Sequence, residues 1–157
     1  MRFYVKSFNN RSNNEKDNII VYKEAPPNLE EYYQLFSSTG WVQVLGISEN
    51  DLEKVLENTF YWVTAYEDEK IAGIGRLLSD GTLYALTCDI IVKPDSQKRG
   101  IGSTILSNLI ARCKALKLKR VWLFAAPDKA GFYEKHGFFI RPTEAPGMQL
   151  GKFEYIT

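Results

Sequence analysis

Two glycines and two cations stand within six residues, at positions 97–102, where the sequence reads Q-K-R-G-I-G. A helical apolar pattern begins directly afterwards, so the free N–H groups of its first turn adjoin this segment. Glycines at 100 and 102 leave the backbone donors open to phosphate oxygens, and Lys98 and Arg99 add positive charge. The segment therefore predicts an anion-binding turn that receives a phosphate.

Two known phosphate-binding loops do not fit this spacing. A P-loop requires a lysine after its last glycine, but Gly102 is followed directly by Ser103 and Thr104. A dinucleotide fingerprint requires a third glycine where Ile105 stands. The glycines at 73 and 75 fall inside a predicted strand, where they indicate a bulge or a close backbone approach.

The composition of the chain is typical of one soluble globular domain spanning residues 1–157. A net charge of +1 gives no reason to expect nucleic acid as a partner. Cys88 and Cys113 are predicted to be buried thiols, and neither they nor the single histidine, His136, have metal-ligand spacing. No apolar run is long enough to span a membrane and no secretion signal is visible, so a cytoplasmic location is expected.

Helices and strands must position the residues that could do chemistry. The helical and strand patterns along the chain predict an α+β fold. Helices are expected at about 29–38, 48–58, 100–116 and 128–135. Strands are expected at 3–5, 19–22, 61–66, 71–78, 82–92, 120–125, 138–141 and 148–153. Strand 82–92, helix 100–116 and strand 120–125 form a β-α-β unit, whose two strands should run parallel within an otherwise antiparallel sheet.

The segment Q-K-R-G-I-G resembles the Q/R-x-x-G-x-G/A pyrophosphate loop of the GNAT superfamily of acyl-CoA-dependent N-acyltransferases. Upstream, D-I-I-V-K-P at 89–94 is similar to the strand and exit that precede this loop in the family. Downstream, F-Y-E-K-H-G-F at 132–138 is similar to the family's F-Y-E-K-x-G-F segment, and G-W at 40–41 to its frequent G-W. The resemblance covers roughly residues 19–153 and implies a mixed, mostly antiparallel sheet of six to seven strands with about four helices. One departure is A-P-D at 126–128, where many members carry an asparagine.

The resemblance implies acetyl-CoA as the cosubstrate and no metal. Its pantetheine would pair with the strand, its pyrophosphate would rest on the loop, and an amide near Ile91 would stabilise the oxyanion. The implied catalytic residues are Asp89, which would accept a proton from the acceptor amine, and Tyr133, which would protonate the departing thiolate. The implied cofactor-binding residues are Ile91, Val92, Lys93, Gln97, Lys98, Arg99, Gly100, Ile101, Gly102, Ser103 and Tyr133.

The function implied is transfer of an acetyl group to a primary amine by direct attack in a ternary complex, an acyltransferase reaction of the EC 2.3.1 type. The acceptor is a small molecule or a peptide, and a homodimer is one alternative for the assembly. Two other functions stay open: a non-catalytic acyl-CoA-binding regulatory module and a nucleotide-phosphate enzyme. Structural roles also stay open, since Tyr133 could pack as a helix residue and Asp89 could be solvated or ion-paired.

Overall fold

A computed structural model describes residues 3–6 and 19–150. Six strands form a single sheet in the order β1-β2-β3-β4-β5-β6. The strands are β1 Phe3–Lys6, β2 Ile20–Lys23, β3 Tyr61–Glu67, β4 Lys70–Ser79, β5 Tyr84–Val92 and β6 Arg120–Trp122. The α-helices are α1 Leu29–Ser37, α2 Trp41–Leu45, α3 Glu49–Asn58, α4 Ile101–Ala115 and α5 Ala130–Glu134, and a 3-10 turn spans Pro94–Ser96.

The predicted α+β class with a mixed, mostly antiparallel sheet is confirmed. Strands β1 to β5 pair antiparallel with their neighbours, whereas β5 and β6 pair parallel through the α4 crossover. Helix α4 covers one face of the sheet, where Ile101, Ile105 and Leu109 are buried. Helix α1 covers the opposite face, where Tyr32 packs edge-on to Trp62 with ring centroids 5.3 Å apart.

Two helices begin where their capping residues predict. Asn28 caps α1 by accepting a hydrogen bond from the Glu31 amide at 2.8 Å. Ser48 and Asp51 form a reciprocal capping box at α3, which satisfies two amides that the helix itself leaves without partners. These local bonds explain why α1 and α3 begin within a residue of the predicted positions.

The structure corrects several element predictions. Helix α2 was missed: Gly40, in the left-handed conformation, precedes five residues that bury Val42, so the described residues contain five α-helices rather than about four. Strand β6 ends at Trp122, three residues earlier than predicted. No strand forms at 138–141, where Phe139 and Ile140 stay exposed, nor at 148–150. Residues 151–153 of that last prediction lie outside the described residues. An apolar run becomes a strand only beside a neighbour, and β6 pairs with β5 alone within the described ranges.

Strand β4 passes so close to α4 that its glycines have a packing role. A Cβ atom on Gly75 would lie 2.5 Å from Cγ2 of Ile105 and 2.7 Å from Cδ1 of Ile90. A Cβ atom on Gly73 would lie 2.9 Å from the carbonyl oxygen of Ile91. The predicted close backbone approach is confirmed, since the glycines let β4 lie directly against α4 and β5.

Replacing Gly75 by alanine should therefore lower the free energy of unfolding by about 1–3 kcal/mol, because the new methyl group overpacks the α4 interface. The measurement is urea unfolding followed by circular dichroism. Gly131→Ala is the matched control, since a Cβ atom there meets nothing within 4 Å and alanine is the better helix former. Equal stability changes in the two variants would contradict this account of β4.

Candidate active site

Strands β5 and β6 open a wedge in the sheet. Their register covers only Tyr84↔Arg120, Ala85↔Val121 and Leu86↔Trp122, whereas β5 continues to Val92. On the β6 side, residues 87–92 therefore have no strand partner within the described part of the chain. An extended ligand could hydrogen-bond to this open edge as an added strand does.

A β-bulge shapes the end of β5 beside this wedge. The β4–β5 register shifts from Ile74↔Ile91 to Arg76↔Cys88, so two residues of β5 oppose one residue of β4. Asp89, the first of the two, has a φ of 51°, a left-handed conformation that aspartate tolerates better than most residues. The bulge re-aims the Asp89 side chain toward α1.

Backbone hydrogen bonds fix which β5 amides face the wedge. The Lys93 amide donates to the Ala72 carbonyl at 2.9 Å, so Lys93 and, by alternation, Ile91 direct their polar groups toward β4. The Val92 carbonyl faces the other way, where it accepts a hydrogen bond from Gln97 Nε2 at 3.0 Å. The amides on the open edge are thus those of Ile90 and Val92, which flank Ile91, whereas the amide of Ile91 itself faces β4.

The N-terminus of α4 adjoins the end of this open edge. Gly100, with a φ of 80°, caps the helix without a side-chain hydrogen bond, and the first helical bond runs from the Thr104 amide to the Gly100 carbonyl at 3.0 Å. The amides of Ile101, Gly102 and Ser103 precede that bond, so the helix offers them no acceptor. The predicted anion-binding turn therefore has its donors together at one helix end.

The three polar side chains of the turn have different surroundings. Gln97 donates to the Val92 carbonyl, as described above. Arg99 forms a two-bond ion pair with Glu67 of β3, with N–O distances of 2.9 and 2.6 Å. Lys98 is exposed, and within residues 19–150 neither of the two ion pairs involves it. Of the two cations of the turn, Lys98 is thus the one without a carboxylate partner in the described ion pairs.

Asp89 lies in a half-buried polar cluster beneath α1. Its Oδ2 accepts a hydrogen bond from Arg76 Nε and lies 3.4 Å from the Tyr32 hydroxyl. Arg76 also donates to Thr59 Oγ1 at 3.3 Å. Burial opposes the guanidinium charge, but the adjacent Asp89 carboxylate outweighs it and raises the pKa of Arg76. Burial, and then Asp89, raise the pKa of Tyr32, which keeps this hydroxyl a donor.

Tyr133 lies on α5, the short helix that follows β6 along the chain. Its ring packs edge-on against Phe132 and Phe138, with centroids 5.1 and 6.2 Å away. Burial raises the pKa of the Tyr133 phenol, and the negative charge of Asp89 raises it further. The phenol is therefore protonated at neutral pH, as a general acid must be.

Sequence reasoning missed Arg76 and Glu67, which are the ion-pair partners of Asp89 and Arg99. One signal was present: Arg76 interrupts the apolar run of β4, and a charge buried in a sheet needs a partner. No such signal exists for Glu67, whose contact with Arg99 joins residues 32 apart in the chain. In the described ranges, no cluster of three potential metal ligands occurs and no helix is long and apolar enough to cross a membrane.

Comparison with known proteins gives a consistent result. The model of the Acetyltransferase (GNAT) family matches residues 26–138. An uncharacterized N-acetyltransferase, ycf52, of Pyropia yezoensis is 32% identical over 128 residues, which cover 77% of this chain and 70% of that one. Its counterpart in Gracilaria tenuistipitata var. liui is 32% identical over 140 residues, 83% of this chain and 72% of that one.

A crystal structure of a probable acetyltransferase from Staphylococcus aureus superposes with a TM-score of 0.71 at 25% identity, covering 85% of this chain and 99% of that one. This chain belongs to the GNAT family of acetyltransferases.

Proposed function

We propose that the protein is an N-acetyltransferase of the EC 2.3.1 type, which transfers the acetyl group of acetyl-CoA to a primary amine of a small molecule or peptide. The observation that carries the proposal is the continuity of two binding surfaces. The open edge of β5 ends at Val92, and the free amides of α4 begin at Ile101, whose neighbour Gly102 lies against Val92 (a Cβ there would be 3.4 Å from Val92 Cγ2). A thioester arm and its diphosphate could therefore lie along one path.

The polar groups on this path match the chemistry of coenzyme A. The Ile90 and Val92 backbone offers strand-like hydrogen bonds to the amides of pantetheine. The amides of Ile101, Gly102 and Ser103, with the Lys98 ammonium, offer donors and positive charge to the diphosphate. The Ile90 amide also faces the wedge and would stabilise the oxyanion of a tetrahedral intermediate, a role worth about 3 kcal/mol for one donor.

In this reaction Asp89 would act as the general base and Tyr133 as the general acid. Asp89, directly or through water, takes one proton from the acceptor ammonium, whose free nitrogen then attacks the thioester carbon. The intermediate collapses as its carbon–sulfur bond breaks, and Tyr133 gives its proton to the thiolate sulfur. The amide nitrogen returns a second proton to Tyr133, so the balanced products are an amide, free CoA and one proton.

The protonation of the Cys88 thiol, which adjoins Asp89 on β5, favours direct attack by the amine over an acyl-enzyme intermediate. Cys88 precedes Asp89 on β5, and burial, with the Asp89 charge as a smaller cause, raises the pKa of its thiol to about 11 although Arg76 lowers it. A thiol with this pKa is protonated at neutral pH and is a poor nucleophile. The amine would therefore react with the thioester in a ternary complex.

Coenzyme A binding is the first expected result. Acetyl-CoA at one hundred times its dissociation constant should stabilise the protein by about 2.7 kcal/mol, a rise in melting temperature of roughly 5–10 °C. ATP and NAD serve as comparison ligands, and an equal response to either one would favour a nucleotide-phosphate enzyme. No response to any CoA species would contradict the proposal.

Thiol release across a panel of primary amines then tests catalysis. Release that depends on the amine supports the enzyme, whereas binding without release would indicate an acyl-CoA-binding regulatory module. The cytoplasmic location of the protein and its assembly as a homodimer are still predictions from the sequence.

A further inference from the structure

We propose that Arg99 and Glu67 form a clamp that positions the anion-binding turn, and that Arg99 does not itself contact the diphosphate. This inference rests on the proposed function, because it assigns the charge that meets the diphosphate to Lys98 and the α4 amides. Arg99 is then a positioning residue. Glu67 becomes a determinant of CoA affinity, although it lies on β3 and not on the anion-binding turn.

The geometry of the ion pair is that of a structural contact. Arg99 Nη2 lies 2.6 Å from Glu67 Oε1, and Arg99 Nη1 lies 2.9 Å from Glu67 Oε2. The Glu67 side chain is only 15% exposed. Two parallel N–H···O bonds fix the plane of the guanidinium as well as its charge, so the pair restrains the turn more strongly than a lysine would.

Glu67 is a firm anchor because of its place in the sheet. It is the last residue of β3 and pairs with Lys70 across a two-residue turn. Asp68 and Glu69 in that turn have φ values of 47° and 62°, the conformation of the hairpin turns that suit the twist of paired strands. The Ser96 hydroxyl, buried in the 3-10 turn before residue 97, also reaches Glu67 Oε2 at 3.4 Å. Two residues of the turn region thus meet one carboxylate.

The positive charge of Arg99 also acts on Tyr22 of β2, a residue buried beneath α4. Burial raises the pKa of Tyr22, while Thr104 and the positive charge of Arg99 act in the opposite direction. Arg99 and Lys98 are both exposed, and what distinguishes them in the described residues is that Arg99 forms an ion pair, with Glu67, whereas neither ion pair involves Lys98.

The alternative, that Arg99 leaves Glu67 to bind the diphosphate, predicts the opposite response to one substitution. In that case Glu67 competes for the guanidinium and repels the diphosphate, so removing its charge strengthens CoA binding. If Arg99 is a clamp, the same removal frees the turn and weakens CoA binding. The sign of the change therefore separates the two models.

The test is isothermal titration of CoA to the full-length wild type and to Glu67→Gln. We expect the variant to bind CoA about tenfold more weakly, with a raised KM for acetyl-CoA and an unchanged kcat. Pantetheine, which lacks the diphosphate, should bind both proteins equally. Glu69→Gln is the matched control, because it removes the same charge from an exposed position two residues away.

Exchanging the two charged residues tests whether the weaker binding of Glu67→Gln comes from loss of the ion pair and not from misfolding. Glu67→Arg combined with Arg99→Glu rebuilds the pair with reversed polarity, and should recover most of the CoA affinity lost in Glu67→Gln. Tighter CoA binding by Glu67→Gln, or failure of the exchange to recover affinity in a protein with the wild-type melting temperature, would overturn the clamp. A wild type that does not bind CoA would instead overturn the proposed function.

Discussion

Replacing Tyr133 by phenylalanine should lower kcat by about 100-fold and leave the CoA dissociation constant within about twofold of the wild type. The variant keeps the ring, and with it the contacts to Phe132 and Phe138. It loses only the phenolic proton, and a positioned general acid contributes about 10²–10⁴-fold to a rate. A packing role alone would leave kcat unchanged, because the packing surface is retained.

The pH dependence follows from the direction of the Tyr133 pKa. Burial and Asp89 raise this pKa above the usual value of 10, so the acid form of the phenol is present at every lower pH and is lost only above it. The alkaline fall in kcat that reports this group should therefore begin above about pH 10, and the phenylalanine variant should lack it.

Thiol release at saturating acetyl-CoA and amine gives the measurement. Tyr84→Phe is the control, since it also removes a phenol, from a ring that is 47% exposed and stacks on Trp122. A kcat for Tyr133→Phe equal to that of this control would exclude the acid role while leaving the family assignment intact.

Features set by short-range chemistry could be read from the sequence. The α4 N-terminus was predictable because two glycines, a helical pattern and adjacent cations are all local. The same holds for the α3 capping box at Ser48 and for the crossover that makes β5 and β6 parallel. The two helix starts depend on residues within a few positions of one another, and the crossover follows from the order of strand and helix patterns along the chain, so one chain was enough to find them.

Features set by tertiary pairing could not be read in this way. Asp89 was predicted either to accept a proton or to be solvated or ion-paired, but the bulge at Asp89 and the identity of Arg76 as its partner depend on the register between β4 and β5. Arg99 was assigned to the diphosphate, and its contact with Glu67 depends on where β3 ends. The apolar run at 138–141 was predicted as a strand from its pattern, yet no neighbouring strand pairs with it in the described residues.

The Arg76–Asp89 pair suggests that Asp89 contributes both to the stability of the protein and to the proposed reaction. Both side chains are almost inaccessible, at 13% and 11% exposure, so neither charge is well solvated without the other. Asp89 keeps a second carboxylate oxygen, Oδ1, that is engaged by neither Arg76 nor Tyr32 in the structure. We infer that Arg76 stabilises the carboxylate through Oδ2 and leaves Oδ1 for the acceptor ammonium.

Replacing Arg76 by methionine should lower the free energy of unfolding by about 3 kcal/mol, because it leaves a buried carboxylate without its counter-charge. Adding Asp89→Asn should restore most of that stability, since asparagine carries no charge and tolerates the φ of 51° at this bulge. Urea unfolding measures both changes, with Arg120→Met, at an exposed position of β6, as the control for loss of an arginine. A double variant no more stable than Arg76→Met would contradict the ion-pair account.

The double variant also separates stability from chemistry. If Asp89 accepts the proton of the acceptor ammonium, the stable Arg76→Met and Asp89→Asn protein should still bind CoA but release thiol at least about 100-fold more slowly at neutral pH. The deficit should shrink as the pH rises toward the pKa of the free amine, near 10, because more acceptor is then already deprotonated. A rate that stays depressed by the same factor across that range would show that Asp89 acts by position alone.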